Sequence, residues 1–269
     1  MRRNLLIACA LCGLLVASAT AHDLFLKLNT YFLPPNSKAT VRLMNGTFGK
    51  SDGKVDRDRM RDVILLTPEG NISHPPASDF RDEGEMTLLD LQTAGPGTYV
   101  VGISTKPREI DLKAADFNDY LKHDGIPDIL AARKRSGELG KDVREQYSKH
   151  VKAMFQVGNA HTENFKTPLN YPVEIIPQQN PYSLKVGQTI EVQCLKDGNP
   201  IPHQFVMAGW ESGKRQSQPV SVRTNENGIA RVVLRVAGKW YVKMIHMSPL
   251  KEGSLNYESK WATLTFEVR

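Results

Sequence analysis

Cysteine is nearly absent: the chain has 3 in 269 residues, and two of them, Cys9 and Cys12, fall at its start. Aromatic residues make up 7%, there is no tract of like charge, and after residue 16 no apolar run approaches the roughly 20 residues that a spanning helix needs. These absences exclude a disulfide-stapled scaffold and a transmembrane segment in the later chain. Ordinary proportions of hydrophobic (40%) and charged (24%) residues exclude a fibrous or wholly disordered protein. The net charge of +6 is spread along the chain, so nothing in it demands nucleic acid. Enzyme signatures are missing too: there is no Gly-x-Ser-x-Gly elbow and no His-Glu-x-x-His. Phe48-Gly49-Lys50-Ser51 imitates the end of a phosphate-binding loop, but the required earlier glycine is Met44 and no helical pattern follows. The expectation is a protein that is not an enzyme.

What is present begins with an export signal. Met1-Arg2-Arg3 forms a short positive region, Leu5 through Val16 an apolar one, and Ala19-Thr20-Ala21 supplies small residues at a cleavage site. Residues 1–21 are read as a signal peptide, which makes His22 the first mature residue and the destination the periplasm. Cleavage removes Arg2 and Arg3, lowering the net charge to +4, and removes both early cysteines. Cys194 is then the single remaining thiol, so no intrachain disulfide is possible. Its apolar-patterned setting reads as that of a small buried hydrophobe.

Residues 23–104 read as β structure. Period-two alternation runs through Asp23-Leu24-Phe25-Leu26-Lys27-Leu28 and Ala39-Thr40-Val41-Arg42-Leu43-Met44, and continues in 63–66, 86–91 and 98–104. Turns are marked by Pro34-Pro35-Asn36, Pro68-Glu69-Gly70-Asn71 and Gly95-Pro96-Gly97. Residues 112–157 change to dense charge with apolar residues at three- and four-residue spacing, and are read as helical. One helix starts near Pro127, and a second carries Val143, Tyr147, Val151, Met154 and Phe155 on one face and stops near Gly158. Prolines at 168, 172, 177 and 181 mark a boundary. Seven further strand candidates follow between 173 and 268, with Asn225-Glu226-Asn227-Gly228 as a tight turn. The fold class is therefore mainly β: two β-sandwich domains, Ig-like or transthyretin-like, with a helical insertion between them. The N-terminal sandwich spans 22–165 with its helical stretch at 112–157, and the C-terminal one spans 172–269. A faint echo links them: Gly97-Thr98-Tyr99-Val100-Val101 and Gly238-Lys239-Trp240-Tyr241-Val242 each place a glycine two residues before an aromatic that opens an apolar strand.

Chemistry points to His22. A first-residue histidine offers an α-amine and an imidazole nitrogen that can chelate one divalent metal together, although it needs further ligands from the fold. His246 is the partner this reading selects, because Trp240, Val242, Met244 and His246 share one strand face and His246 ends that row. A row of Leu24, Leu26 and Leu28 likewise follows His22. Asp23 and Glu258 are possible oxygen ligands. His74, His123, His150, His161 and His203 lack the close spacing of a zinc motif and read as surface or structural residues.

Several segments in order carry a family likeness: Ala21-His22-Asp23-Leu24-Phe25, Tyr120-Leu121, Tyr147-Ser148-Lys149, Phe165 to Pro172, Asn180-Pro181-Tyr182-Ser183-Leu184, Trp240 to Met247, and Glu258 to Phe266. Together they resemble the bacterial periplasmic family of unknown function labelled NikM-like, or nickel uptake transporter family protein. The resemblance implies an exported β-sandwich protein whose second half is similar to the carboxypeptidase-regulatory, transthyretin-like fold. It further implies an uptake accessory for nickel or cobalt that hands its ion to a membrane transporter, with His22 and His246 inside the family pattern and His203 outside it. Copper suits the same nitrogen ligands. Two other readings stay open: a sandwich binding a cell-surface or carbohydrate ligand, and a copper oxygenase built on the first-residue histidine.

Overall fold

A computed structural model describes residues 22–251 and 253–269; the expected signal peptide lies outside the described residues. About half of the described residues are in strands, and among them the α-helices are Ala114–His123 and Pro127–Arg135. No helix of the described residues is long and apolar enough to cross a membrane.

One long sheet organises the molecule. It has eleven strands, and its main path runs Arg215–Gln216, Phe205–Ser212, Gly238–Pro249, Tyr257–Val268, Val143–Val157, Gly97–Thr105, Met60–Leu66 and Ile72–Ser73. The halves of the chain meet inside this sheet, because Val143–Val157 pairs in parallel with Tyr257–Val268 from Glu145↔Tyr257 to Ala153↔Thr265. Successive side chains of a strand point to opposite faces, so the central strands of this sheet serve two cores. Tyr99, Val101, Ile103, Val151, Ala153, Phe155 and Val157 bury one face against the four-stranded sheet that contains Asp23–Leu28, Lys38–Gly46 and Met86–Gln92. Val100, Met154, Trp240, Val242, Met244, Ala262, Leu264 and Phe266 bury the other against the sheet of Val173–Pro177, Thr189–Lys196 and Ile229–Val233. Two sandwich cores thus share a common layer, and the chain is mainly β.

The expected second helix is corrected. Val143–Val157 is a fifteen-residue strand near the middle of the sheet, buried along almost its whole length. A strand covered on both faces keeps polar and apolar residues inside alike, so its sequence shows no clean alternation. The three- and four-residue spacing of Val143, Tyr147, Val151 and Met154 arises from residues that in fact point to both faces. The earlier helix holds: Pro127 occupies its first turn, where a missing N–H costs nothing. Phe117, Tyr120 and Leu121, spaced as one helical face, pack with Ile245, Met247, Tyr257 and Trp261. The helix pair therefore covers the same face as the first sandwich, over strands of the second half.

The internal echo has a structural counterpart. Gly97 and Gly238 both adopt positive φ, 147° and 143°, and a side chain would collide at each: a Cβ would lie 2.4 Å from Pro68 Cβ and 2.3 Å from the Glu211 carbonyl oxygen respectively. The aromatics that follow bond back four residues, Tyr99 Oη donating to Gly95 O at 3.0 Å and Trp240 Nε1 to Val236 O at 2.9 Å. Each aromatic enters its own core, on opposite faces of the shared sheet.

Candidate functional site

His246 sits where the alternation of its strand places it, on the face shared with Trp240, Val242 and Met244. Its Nδ1 lies 3.1 Å from Gln204 Oε1, and its Nε2 3.5 Å from Ser248 Oγ. Across the ladder it is paired with Lys260. Burial lowers its pKa, and the positive charges of Lys196 and Lys260 push in the same direction. It lines a pocket of about 230 Å³ that also takes in Asp128, His203 and Phe205.

His22 precedes the strand Asp23–Leu28, which pairs with Lys38–Gly46 and buries Leu24, Leu26 and Leu28 in the first core. Its Nε2 lies 3.7 Å from Asp52 Oδ2, and its carbonyl accepts a hydrogen bond from Lys149 Nζ. The neighbouring Asp23 reaches Lys243, whose Nζ lies 2.7 Å from Asp23 Oδ2 and 2.9 Å from Asp124 Oδ1. Burial alone would lower the Lys243 pKa, but these two carboxylates outweigh it and raise it. Lys243 and His246 are three residues apart on one strand and so point to opposite faces of the sheet. The long sheet therefore stands between the Asp23 side, where His22 is anchored, and His246, and the structure does not bring the two histidines together. Among the described residues, no three or more His, Cys, Asp or Glu side chains are grouped to hold a metal ion. The other two oxygen candidates are engaged with cations, Asp23 with Lys243 and Glu258 with Lys260.

The remaining histidines have local partners. His74 contacts Asp62 at 3.0 Å, His203 Glu226 at 3.0 Å and His161 Ser183 at 2.8 Å. His150 is deeply buried, with Nδ1 2.9 Å from Ser104 Oγ and Nε2 3.0 Å from Ser148 Oγ. Burial pushes its pKa down to about 3, aided by Lys260 and Arg61, so it is a neutral core histidine. Cys194 is fully buried and burial pushes its thiol up to about 12, which leaves no thiolate to act as a nucleophile.

The sequence reading missed a group of buried charges beside His22. Lys149 is 5% exposed, and its ammonium faces the rings of Trp261 and Tyr147 at 5.4 and 5.7 Å. Burial lowers its pKa to about 8, with Asp23 opposing and Arg59 adding to the fall. Glu145, on the same strand, accepts from Ser259 Oγ and from Tyr120 Oη, and burial raises its pKa to about 7. A pocket of about 80 Å³ opens here, lined by Lys149, Arg59, Arg108 and Lys54 together with Asp56. The run Ser148-Lys149-His150-Val151-Lys152 carried no clear signal, because its two lysines are three residues apart, a spacing that fits one helix face as well as opposite faces of a strand.

Residues 19–248 match the family described as Domain of unknown function (DUF4198). The chain belongs to this family. No curated protein matches this DUF4198 chain. Among solved structures, it is similar to the tetra-tandem repeat in the extending region of a large adhesion protein, at 9% identity over 93% of this chain and 50% of that one, with a TM-score of 0.23. It is also similar to the human OSCAR ligand-binding domain, at 10% identity over 92% of this chain and 99% of that one, with a TM-score of 0.20. The D0-D1 domain of intimin gives 12% identity over 91% of this chain and 97% of that one, with a TM-score of 0.20.

Proposed function

We propose that this chain is an exported periplasmic protein that captures a divalent transition metal at His22 and passes it to a membrane transporter, in keeping with its likeness to NikM-like nickel uptake proteins. Nickel and cobalt are the cargo this reading favours, with copper as the competitor of highest intrinsic affinity. Once the leader leaves after Ala21, His22 supplies an amine and an imidazole. The observation that carries the reading is the position of Asp52, whose carboxylate lies 3.7 Å from the His22 imidazole and can close around an ion held at about 2 Å from each ligand. Asp52 thus takes the place that the sequence alone assigned to His246. It is also paired with Lys50 at 2.8 Å, a half-exposed contact that a metal ion would displace.

Calorimetric titration with nickel, cobalt and copper, on protein shown by mass spectrometry to begin at His22, tests the proposal. Tight one-to-one binding is expected, lost in His22→Ala, weakened about tenfold or more in Asp52→Asn, and unchanged in His246→Ala. One residue added ahead of His22 separates the amine from the imidazole and should weaken binding sharply. Equal affinity in the extended and native forms, or dependence on His246, overturns the site.

A further inference from the structure

The pocket beside His22 has a charge balance that the fold itself does not use. Lys54, Arg59, Arg108 and Lys149 line it, and the single carboxylate among the lining residues is Asp56. Asp56 is 71% exposed and, among the described residues, its carboxylate pairs with Arg108 at 3.5 Å on the rim, so it does not neutralise the interior. Lys149 belongs to the buried part: its ammonium has three N–H donors, and the hydrogen bond it makes, to the His22 carbonyl, uses one.

Arg59 adds a second, independent observation. Its Nη1 donates to Tyr147 Oη at 3.3 Å, while its Nε and Nη2 are buried and have no hydrogen-bond partner among the described residues. Leaving guanidinium donors buried and unpaired costs free energy, and the cost is offset when an anion accepts from them. Nε and Nη2 lie on one edge of the guanidinium plane and are closed to solvent, so an oxyanion meets this edge when the Arg59 side chain shifts towards the pocket it lines. Thr105 also lines the pocket. Its Oγ1 accepts from the Lys149 backbone N–H at 2.8 Å, and its own hydroxyl hydrogen remains a donor. Arg108 and Lys54 are about half exposed, so they stand at the rim.

We propose that this pocket binds a small oxyanion, with the Arg59 guanidinium, Lys149 and Thr105 around it and Arg108 and Lys54 closing the rim. A volume of about 80 Å³ admits a phosphate, a sulfate or the carboxylate end of a small acid. Nothing in this site requires a metal at His22, so it stands or falls separately from the metal reading.

Metal-free, folded protein titrated calorimetrically with sodium phosphate, sodium sulfate and sodium acetate, with sodium chloride holding the ionic strength constant, tests the site. Saturable one-to-one binding of at least one of these anions is expected, and the anion that binds identifies the class of ligand. Arg59→Gln and Arg108→Gln should each weaken it about tenfold or more, the loss expected for a hydrogen bond to a charged group. Arg231→Gln, an exposed cation in another sheet, should leave it unchanged; circular dichroism checks that each variant is folded. The proposal is overturned if none of the three anions saturates the wild type, if Arg59→Gln and Arg108→Gln both retain full affinity, or if Arg231→Gln weakens binding as much as they do.

Discussion

Lys149 and Lys152 lie three residues apart on the strand Val143–Val157 and are equally buried, at 5% and 3% exposure, yet they face opposite cores with opposite consequences. Lys152 has its own carboxylate: Nζ lies 2.9 Å from Glu174 Oε2, and Glu174 also accepts the backbone N–H groups of Leu169 and Tyr171 at 2.9 Å each. Every charge in that arrangement is answered, and its effect is to hold Val173–Pro177 and the preceding loop against the shared sheet. Among the described residues no carboxylate forms an ion pair with Lys149, and Asp23 and Asp124 act on its charge only from further off. Its contacts are a carbonyl and two aromatic rings, and it shares the pocket with three other cations. A buried cation with a dedicated partner ties a fold together, whereas one facing a pocket with spare donors is arranged for something that arrives from outside.

The sharpest way to break this contrast is Glu174→Gln. Removing the partner leaves Lys152 as an uncompensated buried charge, and urea unfolding should show a loss of about 3–5 kcal/mol. A loss well under 1 kcal/mol would mean that the pair is not the anchor described.

Acid provides the next test, on the face that Lys152 shares with His150. The folded protein holds His150 neutral, with its pKa lowered to about 3 against an ordinary value of 6.5. Its contribution to stability is complete above about pH 6.5 and is lost as the pH falls towards 3, by up to about 1.4 kcal/mol per pH unit. Wild type and His150→Gln should therefore converge in stability as acid is added; parallel curves between pH 6.5 and 4 would refute the assignment.

The smallest effect is expected at Lys149. In buffer free of oxyanions, Lys149→Met removes a desolvated charge while keeping most of the side-chain volume, and should raise stability at neutral pH by about 1 kcal/mol. Its sign, opposite to that of Glu174→Gln, is the decisive readout in a thermal melt. Destabilisation of similar size in both variants would place the two lysines in the same structural role.

The positions of several strands along the chain could be read in advance. The alternation in 23–28, 39–44 and 240–246 corresponds to the strands Asp23–Leu28, Lys38–Gly46 and Gly238–Pro249. The turn at Asn225-Glu226-Asn227-Gly228 is closed by the Gly228 N–H to Asn225 O bond at 3.0 Å, with Gly228 at a φ of 72°. Lys38–Gly46 has one half-exposed face and shows its period in composition; Val143–Val157 has no such face, and its charged and polar side chains look solvated until Glu174, Ser259 and Ser104 come to meet them. The same limit applied to the site. His246 was correctly placed on the face of Trp240, but a face assignment within one strand does not say on which side of that sheet His22 will be anchored.

By itself, the sequence determined the β character of both halves, the turn chemistry, the short helix opened by Pro127 and the inert setting of Cys194, because each follows from interactions between near neighbours. Tertiary structure alone decided that the halves share a sheet, that His22 meets Asp52 rather than His246, and that Lys149 and Arg59 line a common pocket with Arg108 and Lys54. Those outcomes depend on which distant strands pair and on which face of a shared layer each side chain lands, and a parallel pairing between residues more than a hundred positions apart leaves no periodic trace in either segment.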